Sequence, residues 1–264
     1  MKTVNLSSGS KGNCTYVESA MAKILIDEGL SFANIKQRLN EIEVEPSQID
    51  AILLTHEHSD HLGGIGCFLK KSKNTKVYIP SFVKNYYISS IAALPQDQII
   101  WFDSSDFFIK DVTVSCFILP HDSQFCVGYS LYFEGQKVSI ATDLGVISDK
   151  VIDCLASSTI LYLESNHDEH LLMQNPKYPM VTKKRILSNK GHLSNTTCGY
   201  AICKLVETGV KQVVLSHLSE ENNTPNLAYS TIKEILQKNN IIEGKNVCID
   251  VAYQNKIGTI FYLS

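Results

Sequence analysis

The sequence predicts a mixed α/β fold in which sheets are covered by helices. Three observations predict it. Short apolar runs bounded by turn residues recur from one end of the chain to the other. Amphipathic helical stretches fall in both halves. One run, Ala51–Thr55, is apolar without alternation, as expected of a strand buried on both faces.

In chain order, Lys23–Asp27 reads as a strand ending on an acid. Ser31 reads as the cap of a helix carrying Ile35, Leu39 and Ile42 on one face. After Ala51–Thr55, the segments Val77–Pro80, Ile99–Phe102 and Val112–Leu119 read as strands. Val127–Phe133 and Lys137–Thr142, joined at Glu134-Gly135, read as a hairpin. Thr159–Glu164 and Gln212–Ser216 are further strands, and Ser194–Glu207 is a helix with Ala201, Ile202, Leu205 and Val206 inward. Val247–Ala252 and Gly258–Leu263 read as a final strand pair. No Pro/Gly/Ser-rich linker and no defensible repeat divides the 264 residues, so one domain, 1–264, is expected.

Composition excludes several classes. With 24 basic against 27 acidic residues the net charge is −3, so the chain does not coat nucleic acid or anionic lipid by bulk charge. The start, MKTVNLSSGSKGN, has no apolar signal region, and no apolar run is long enough to span a bilayer. The eight cysteines contain no C-x-x-C pair. With no secretory signal they are expected to be reduced, in a cytoplasmic protein with no membrane partner.

The informative stretch is Thr55-His56-Glu57-His58-Ser59-Asp60-His61-Leu62-Gly63-Gly64, directly after the buried strand. A packed core has no use for three imidazoles and a carboxylate so close together unless each is bonded or bound. Such groups are the usual ligands of Zn, Mn and Fe. His56 and His58, two apart, point to one side of an extended chain and can grip one ion. Asp60 and His61 lie past the bend, toward a second. Gly63 and Gly64 are expected to relax the backbone there. His121, Asp143 and His217 each follow an apolar run, where ligands from neighbouring strands belong; singly, each could equally be a cap or core-edge residue.

These residues, in this order, are similar to the metallo-β-lactamase superfamily over essentially the whole chain. The resemblance implies a four-layer αββα sandwich with the site at one edge between two sheets. It implies that His56, His58 and His121 hold one metal, that Asp60, His61 and His217 hold a second, and that Asp143 bridges them. Asp27 would orient a ligand loop from behind. The branch with Cys at position 143, the branch with Glu at position 58, and the branch with a large insertion between Asp143 and His217 do not match.

Four polar segments narrow the reading. They are Ser7–Asn13 (SSGSKGN), Glu164-Ser165-Asn166-His167-Asp168, Gly191-His192-Leu193-Ser194-Asn195, and His217–Asn223. They resemble the YycJ/WalJ-type proteins, and Gly-His-Leu-Ser also resembles a phosphate-side motif of ribonuclease Z. The resemblance implies a phosphodiesterase acting on nucleic acid, a 5′–3′ DNA exonuclease with two divalent ions (Zn, Mn or Fe) and a bridging hydroxide. The catalytic set would be Asp60, Asp143 and His192. His192 and Ser194, at a helix start, would favour an anion. Ser8, Ser10, Lys11, Asn13, Asn166, His167 and Ser194 are candidate substrate contacts. With only two arginines, Arg38 and Arg185, DNA contacts would rest on lysines, in one cluster of Lys70, Lys71, Lys73 and Lys76 and a second of Lys183, Lys184, Arg185 and Lys190. The alternatives are a glyoxalase-II-like ester or thioester hydrolase, against which the polar loop and His192 argue, and a ribonuclease-Z-like RNA hydrolase.

Overall fold

In the computed structural model, residues 1–103 and 105–264 are described, and the chain builds two sheets in succession. The first opens with an antiparallel meander of β1 (Lys2–Ser7), β2 (Cys14–Glu18) and β3 (Lys23–Ile26). It continues in parallel through β4 (Ala51–Leu53), β5 (Lys76–Pro80) and β6 (Ile99–Phe102). Parallel neighbours need long crossovers. These carry α1 (Phe32–Asn40), α2 (Ser59–Leu62), α3 (Ile65–Lys71) and α4 (Ser89–Ala92).

The second sheet repeats this logic. β7 (Asp106–Ile109), β8 (Val112–Ile118), β9 (Val127–Phe133) and β10 (Gln136–Ala141) run antiparallel. β11 (Ile160–Glu164), β12 (Gln212–Ser216) and β13 (Cys248–Val251) follow in parallel. Their crossovers hold α5 (Asp149–Leu155), then α6 (Glu169–Gln174), α7 (Met180–Ile186) and α8 (Asn195–Glu207), then α9 (Pro225–Lys238). The chain finally returns to the first sheet, where β14 (Phe261–Tyr262) pairs with β1.

Local chemistry explains the elements. Glu134 and Gly135 both take positive φ, 49° and 77°, which is what a tight β9–β10 hairpin requires. Ser31 accepts the Asn34 N–H at the start of α1, and Ile35 and Leu39 are its buried face. Ile42 is buried too, but beyond the helix end.

The apolar runs divide by alternation into separate cores, which is what creates four layers. Ala51 and Leu53 face the layer between the sheets, while Ile52 and Leu54 face the helices of the first sheet. In the second sheet Ile160, Tyr162 and Val214 face the middle, and Leu161, Leu163, Val213 and Leu215 face α5, α8 and α9. Two buried tyrosines satisfy their hydroxyls across the middle layer. Tyr129 Oη donates to Leu54 O at 2.7 Å, and Tyr162 Oη lies 3.1 Å from Thr3 Oγ1.

Two expectations are corrected. The last two strands do not pair with each other. β13 closes the second sheet and β14 the first, because the chain crosses between layers after Val251. Gly63 and Gly64 do not relax the backbone, since their φ values of −58° and −91° are ordinary. Gly64 is required by close approach. A Cβ there would lie 1.8 Å from a Glu28 carboxyl oxygen and 2.0 Å from Leu30 O.

Glu28 is wholly buried with no side-chain partner among the described residues, and burial, against a Leu30 backbone hydrogen bond, pushes it up to about 8. The folded protein therefore holds a proton that the unfolded chain sheds near pH 4.5. The stability tied to that proton is complete below pH 4.5 and is lost as pH rises through 8. Glu28→Gln keeps the shape and removes the titration. Its melting temperature should match wild type near pH 4.5 and exceed it at pH 8.5, by the equivalent of about 2–4 kcal/mol. A gap that does not change with pH would overturn this account.

Candidate metal centre

The carboxyl ends of strands from both sheets meet at one edge and deliver the site. Asp27 follows β3, His56 follows β4, His121 follows β8, Asp143 follows β10, Glu164 ends β11, and His217 follows β12. Asp27, Asp143 and His217 have φ of 59°, 62° and 57°. In this left-handed region a non-glycine residue carries strain of about 1–2 kcal/mol, sustained only where its surroundings hold it. Here the turn swings each side chain out of its sheet and into the edge.

The histidines and carboxylates form overlapping donor sets. His56, His58 and His121 stand together, with ring centroids 4.6–5.2 Å apart. Asp60, His61 and His217 form another set. His61 Nε2 is 3.5 Å from Asp60 Oδ2, and His217 Nε2 is 3.6 Å from the same oxygen. Asp143 lies between. Its Oδ2 is 3.2 Å from His61 Nε2, and its Oδ1 is 3.9 Å from His121 Nε2. Ligands about 2.1 Å from a tetrahedral ion are about 3.4 Å apart, so these spacings suit divalent metals.

The hydrogen bonds behind the rings fix which nitrogen faces inward. Asp27 accepts from Thr55 N at 2.8 Å, Thr55 Oγ1 at 2.7 Å and His61 Nδ1 at 2.7 Å. Having donated to Asp27, the Thr55 hydroxyl accepts from His56 Nδ1 at 3.0 Å. His121 Nδ1 donates to Gly191 O at 3.2 Å. His217 Nδ1 and His192 Nδ1 both donate to Glu164 Oε1 at 2.8 Å, while Leu144 N and Leu193 N donate to Oε2 at 3.1 and 3.0 Å. Each Nδ1 is thus spent and each Nε2 keeps its lone pair.

The fit to metal rests on what is left over. His56 Nε2, His121 Nε2, His217 Nε2 and Asp143 Oδ2 are buried with no hydrogen-bond partner among the described residues. Orphaned acceptors in one buried cluster are costly unless a cation serves them. His61 Nε2 faces the Asn13 amide at 2.9 Å, and that amide also reaches Asp60 Oδ2 at 3.2 Å. A cation on His61 would leave Asn13 the Asp60 contact.

Electrostatics agree. Burial disfavours charge on His217, yet Asp143, Asp60 and Glu164 push it up to about 10. Burial opposes ionisation of Asp143 as well, and His217, His61 and His56 overcome it and hold it well below the carboxylate range. For Asp60, burial is outweighed by hydrogen bonds to His217 and His61. The carboxylates hold protons on rings that a metal ion would displace.

The donors open into a cleft of about 450 Å³. His58, Asp60, His121, Asp143, His192 and His217 line it, with Ser10, Lys11, Asn166, Tyr178, Thr182 and Arg185 around them. The remaining expected contacts lie elsewhere. Ser8 is buried, and its Oγ accepts the His217 N–H at 2.7 Å. Asn13 serves the ligands. His167 is 1% exposed and does not line the cleft. Ser194 caps α8 through Thr197 N and donates to Glu169. Around the anion site expected at that helix start, Asn195 N donates to His167 O and Thr197 N to Ser194 Oγ. The Glu164 carboxylate already takes the Leu193 N–H there. Of the second basic cluster only Arg185 lines the cleft, and Lys183 is buried with Nζ donating to Met173 O.

Glu164 is the residue that sequence reasoning missed as a site residue. Its signal was the one that found Asp143 and His217, a polar residue closing an apolar strand. Asp122, 3.4 Å from both His121 Nε2 and Arg185 Nε, is also unforeseen.

The chain matches the family model described as a β-lactamase superfamily domain over residues 22–218. It is 32% identical to the exodeoxyribonuclease YycJ of Bacillus anthracis over 234 residues, 88% of each chain. It is 33% identical to the exodeoxyribonuclease WalJ of Streptococcus pneumoniae over 232 residues, 86% of this chain and 85% of that one. Among solved structures, the metallo-β-lactamase fold protein YhfI of Bacillus subtilis superposes with a TM-score of 0.70 at 14% identity, covering 98% of both chains.

Proposed function

The chain belongs to the metallo-β-lactamase superfamily, in its YycJ/WalJ-type branch, and from that premise we infer that it is a two-metal DNA exonuclease with 5′–3′ polarity. That it is a metallohydrolase follows from the family. The finer reading, down to DNA, polarity and ion number, is ours. No helix among the described residues is long and apolar enough to cross a membrane. We place the protein in the cytoplasm, where its eight unpaired cysteines stay reduced.

His56, His58 and His121 would hold one ion, Asp60, His61 and His217 the other, and Asp143 both. Bound there, Zn, Mn or Fe ions would supply an activated water and neutralise charge on the phosphoryl oxygens. The protein's own residues do the rest. Asp27 and Glu164 lock the tautomers that present Nε2. Lys11 and Arg185 bring positive charge to the cleft wall.

The observation that carries the phosphodiester reading is His192. Burial disfavours charge on His192, yet the Glu164 carboxylate that holds its Nδ1, with Asp143, raises its pKa, so in the imidazolium form the second proton, the one it can give to substrate, is on Nε2 of a ring that lines the cleft. A sugar alkoxide needs such a proton to leave. A thiolate, whose parent thiol has a pKa of about 8.5, scarcely does. The same difference, with the exodeoxyribonuclease names of the relatives, favours this reading over a thioesterase.

Protein stripped with EDTA and reloaded separately with Zn, Mn or Fe(II) should be assayed on labelled single- and double-stranded DNA, RNA and S-lactoylglutathione. The expected result is stepwise release of nucleotides from the 5′ end of DNA, lost with EDTA and restored with metal, at two ions per chain by elemental analysis. Thioester cleavage without DNA cleavage would overturn the nuclease reading. One ion in the active protein would overturn the dinuclear part.

A further inference from the structure

Beside the metal cleft lies a second pocket of about 390 Å³, and Ser219 and Glu220 line both. Apart from Ser8, the rest of this pocket comes from two segments, the link from β12 into α9 and the stretch after β13. Leu218 and Ala252 are buried and give it an apolar floor, and Tyr253 and Lys256 form a side. Lys256 Nζ lies 3.9 Å from the Tyr253 ring centroid, over one face of the ring, so an exposed cation covers that face and a stacked base would take the other.

The pocket is tied to the metal ligands by a short chain of hydrogen bonds. Ser8 N donates to Tyr253 O at 3.0 Å, and Lys11 N to Gln254 Oε1 at 2.9 Å. Gln254 Nε2 donates to Ser7 Oγ at 2.8 Å and to Gly12 O at 3.0 Å. The loop so clamped supplies Ser10 and Lys11 to the cleft, and its Ser8 Oγ takes the His217 N–H. The Tyr253 backbone is therefore tied to the loop that carries Ser10 and Lys11 to the cleft.

Of the three amides that line the pocket, two have little left to read, and the third, Asn255, stands exposed at its rim. Asn223 gives its Nδ2 to Ser165 O, Asn166 O and Asn195 Oδ1, and its Oδ1 accepts from Asn195 and Thr224 N. Gln254 is spent on the loop. A ligand here meets a ring, apolar surface and one cation, and of the amides only Asn255 is exposed to it, so stacking and apolar contact outweigh base-edge hydrogen bonds. That combination suits any nucleobase with its phosphate, which is what an enzyme digesting a strand regardless of sequence requires.

We propose that this pocket stacks the base next to the scissile phosphate of single-stranded DNA on Tyr253, with Lys256 on the adjoining phosphate; this rests on the nuclease reading above. The test is binding of a fluorescent single-stranded oligonucleotide in EDTA, together with KM and kcat on the same strand with metal restored. Tyr253→Ala should weaken binding and raise KM about 10-fold with little change in kcat, within the range for loss of one stacked base, and Tyr253→Phe should restore both. Lys256→Ala should lower the slope of log K against log salt by about 0.7. A single abasic residue, walked through the first positions from the attacked end, should at one position weaken wild type by the same factor and leave Tyr253→Ala no weaker. Tyr253→Ala binding as wild type, or losing equally on the abasic strand, overturns the subsite while the nuclease reading stands. Wild type that fails to cut DNA overturns both.

Discussion

Asp143→Asn is expected to abolish hydrolysis while the fold survives. Asparagine suits the test because it tolerates the left-handed backbone, φ 62°, that position 143 adopts, and it keeps the volume of a wholly buried side chain. What it removes is charge. The Asp143 carboxylate lies 3.2 Å from His61 Nε2, 3.5 Å from His217 Nδ1 and 3.9 Å from His121 Nε2, so it stands close to members of both donor sets and would be the ligand they share. Loss of a mere orienting partner of a ligand costs 10–100-fold in metal affinity or activity, and loss of a shared ligand should cost more, at least about 10³-fold in rate. Circular dichroism should be unchanged and elemental analysis should find less than the full metal complement. A variant that keeps two ions and full activity would show that Asp143 is not the bridge.

The parts of this molecule legible in the sequence are those whose signal is local. His56 to His61 can be read because the groups that converge are neighbours in the chain. Ala51–Thr55 can be read because both faces of β4 are buried, and only the split of its side chains between two cores needed the structure. The strand readings overran at Asp27, Leu54–Thr55 and Thr142 because these residues follow the apolar run directly, and at Asp27 the backbone turns to positive φ just past the strand end.

β1 is illegible for the opposite reason. Its Thr3, Asn5 and Ser7 are buried polar groups satisfied by Tyr16 O, Thr15 Oγ1 and Gly12 O, partners outside the strand, so it reads as a polar loop. The twofold repetition of meander and parallel strands leaves no repeat in the residues, because a layer fixes burial and not identity. Glu164 was visible as a strand end, but its task was not. It binds His192 and His217, 28 and 53 positions away, and only the fold brings them together. α9 is a different case, since the Thr224 cap, Pro225 in the first turn and the Ala228, Ile232, Ile235 stripe announce it plainly, yet the sequence reading does not include it.

His192→Ala should keep its metals and its fold yet lose on the order of 10²-fold or more in kcat on DNA, the usual worth of a positioned acid. The argument rests on placement. His192 stands at the cleft wall with Nδ1 bound to Glu164, and it lies outside the His56 and Asp60 donor sets. One observation competes. The His192 donor atom also stands within 4.8 Å of those of Asp143, Glu164 and His217, so an ion held by that group would make His192 a ligand. The leaving group decides between these roles. An acid that protonates a sugar oxygen matters little when the leaving group is p-nitrophenolate, so the loss on bis(p-nitrophenyl) phosphate should be much smaller than on DNA. A ligand, or a donor that only binds phosphate, would cost the same on both substrates, and the ligand would also cost metal. No loss on either substrate would remove His192 from the chemistry, and with it the geometric reason for preferring a nuclease to a thioesterase.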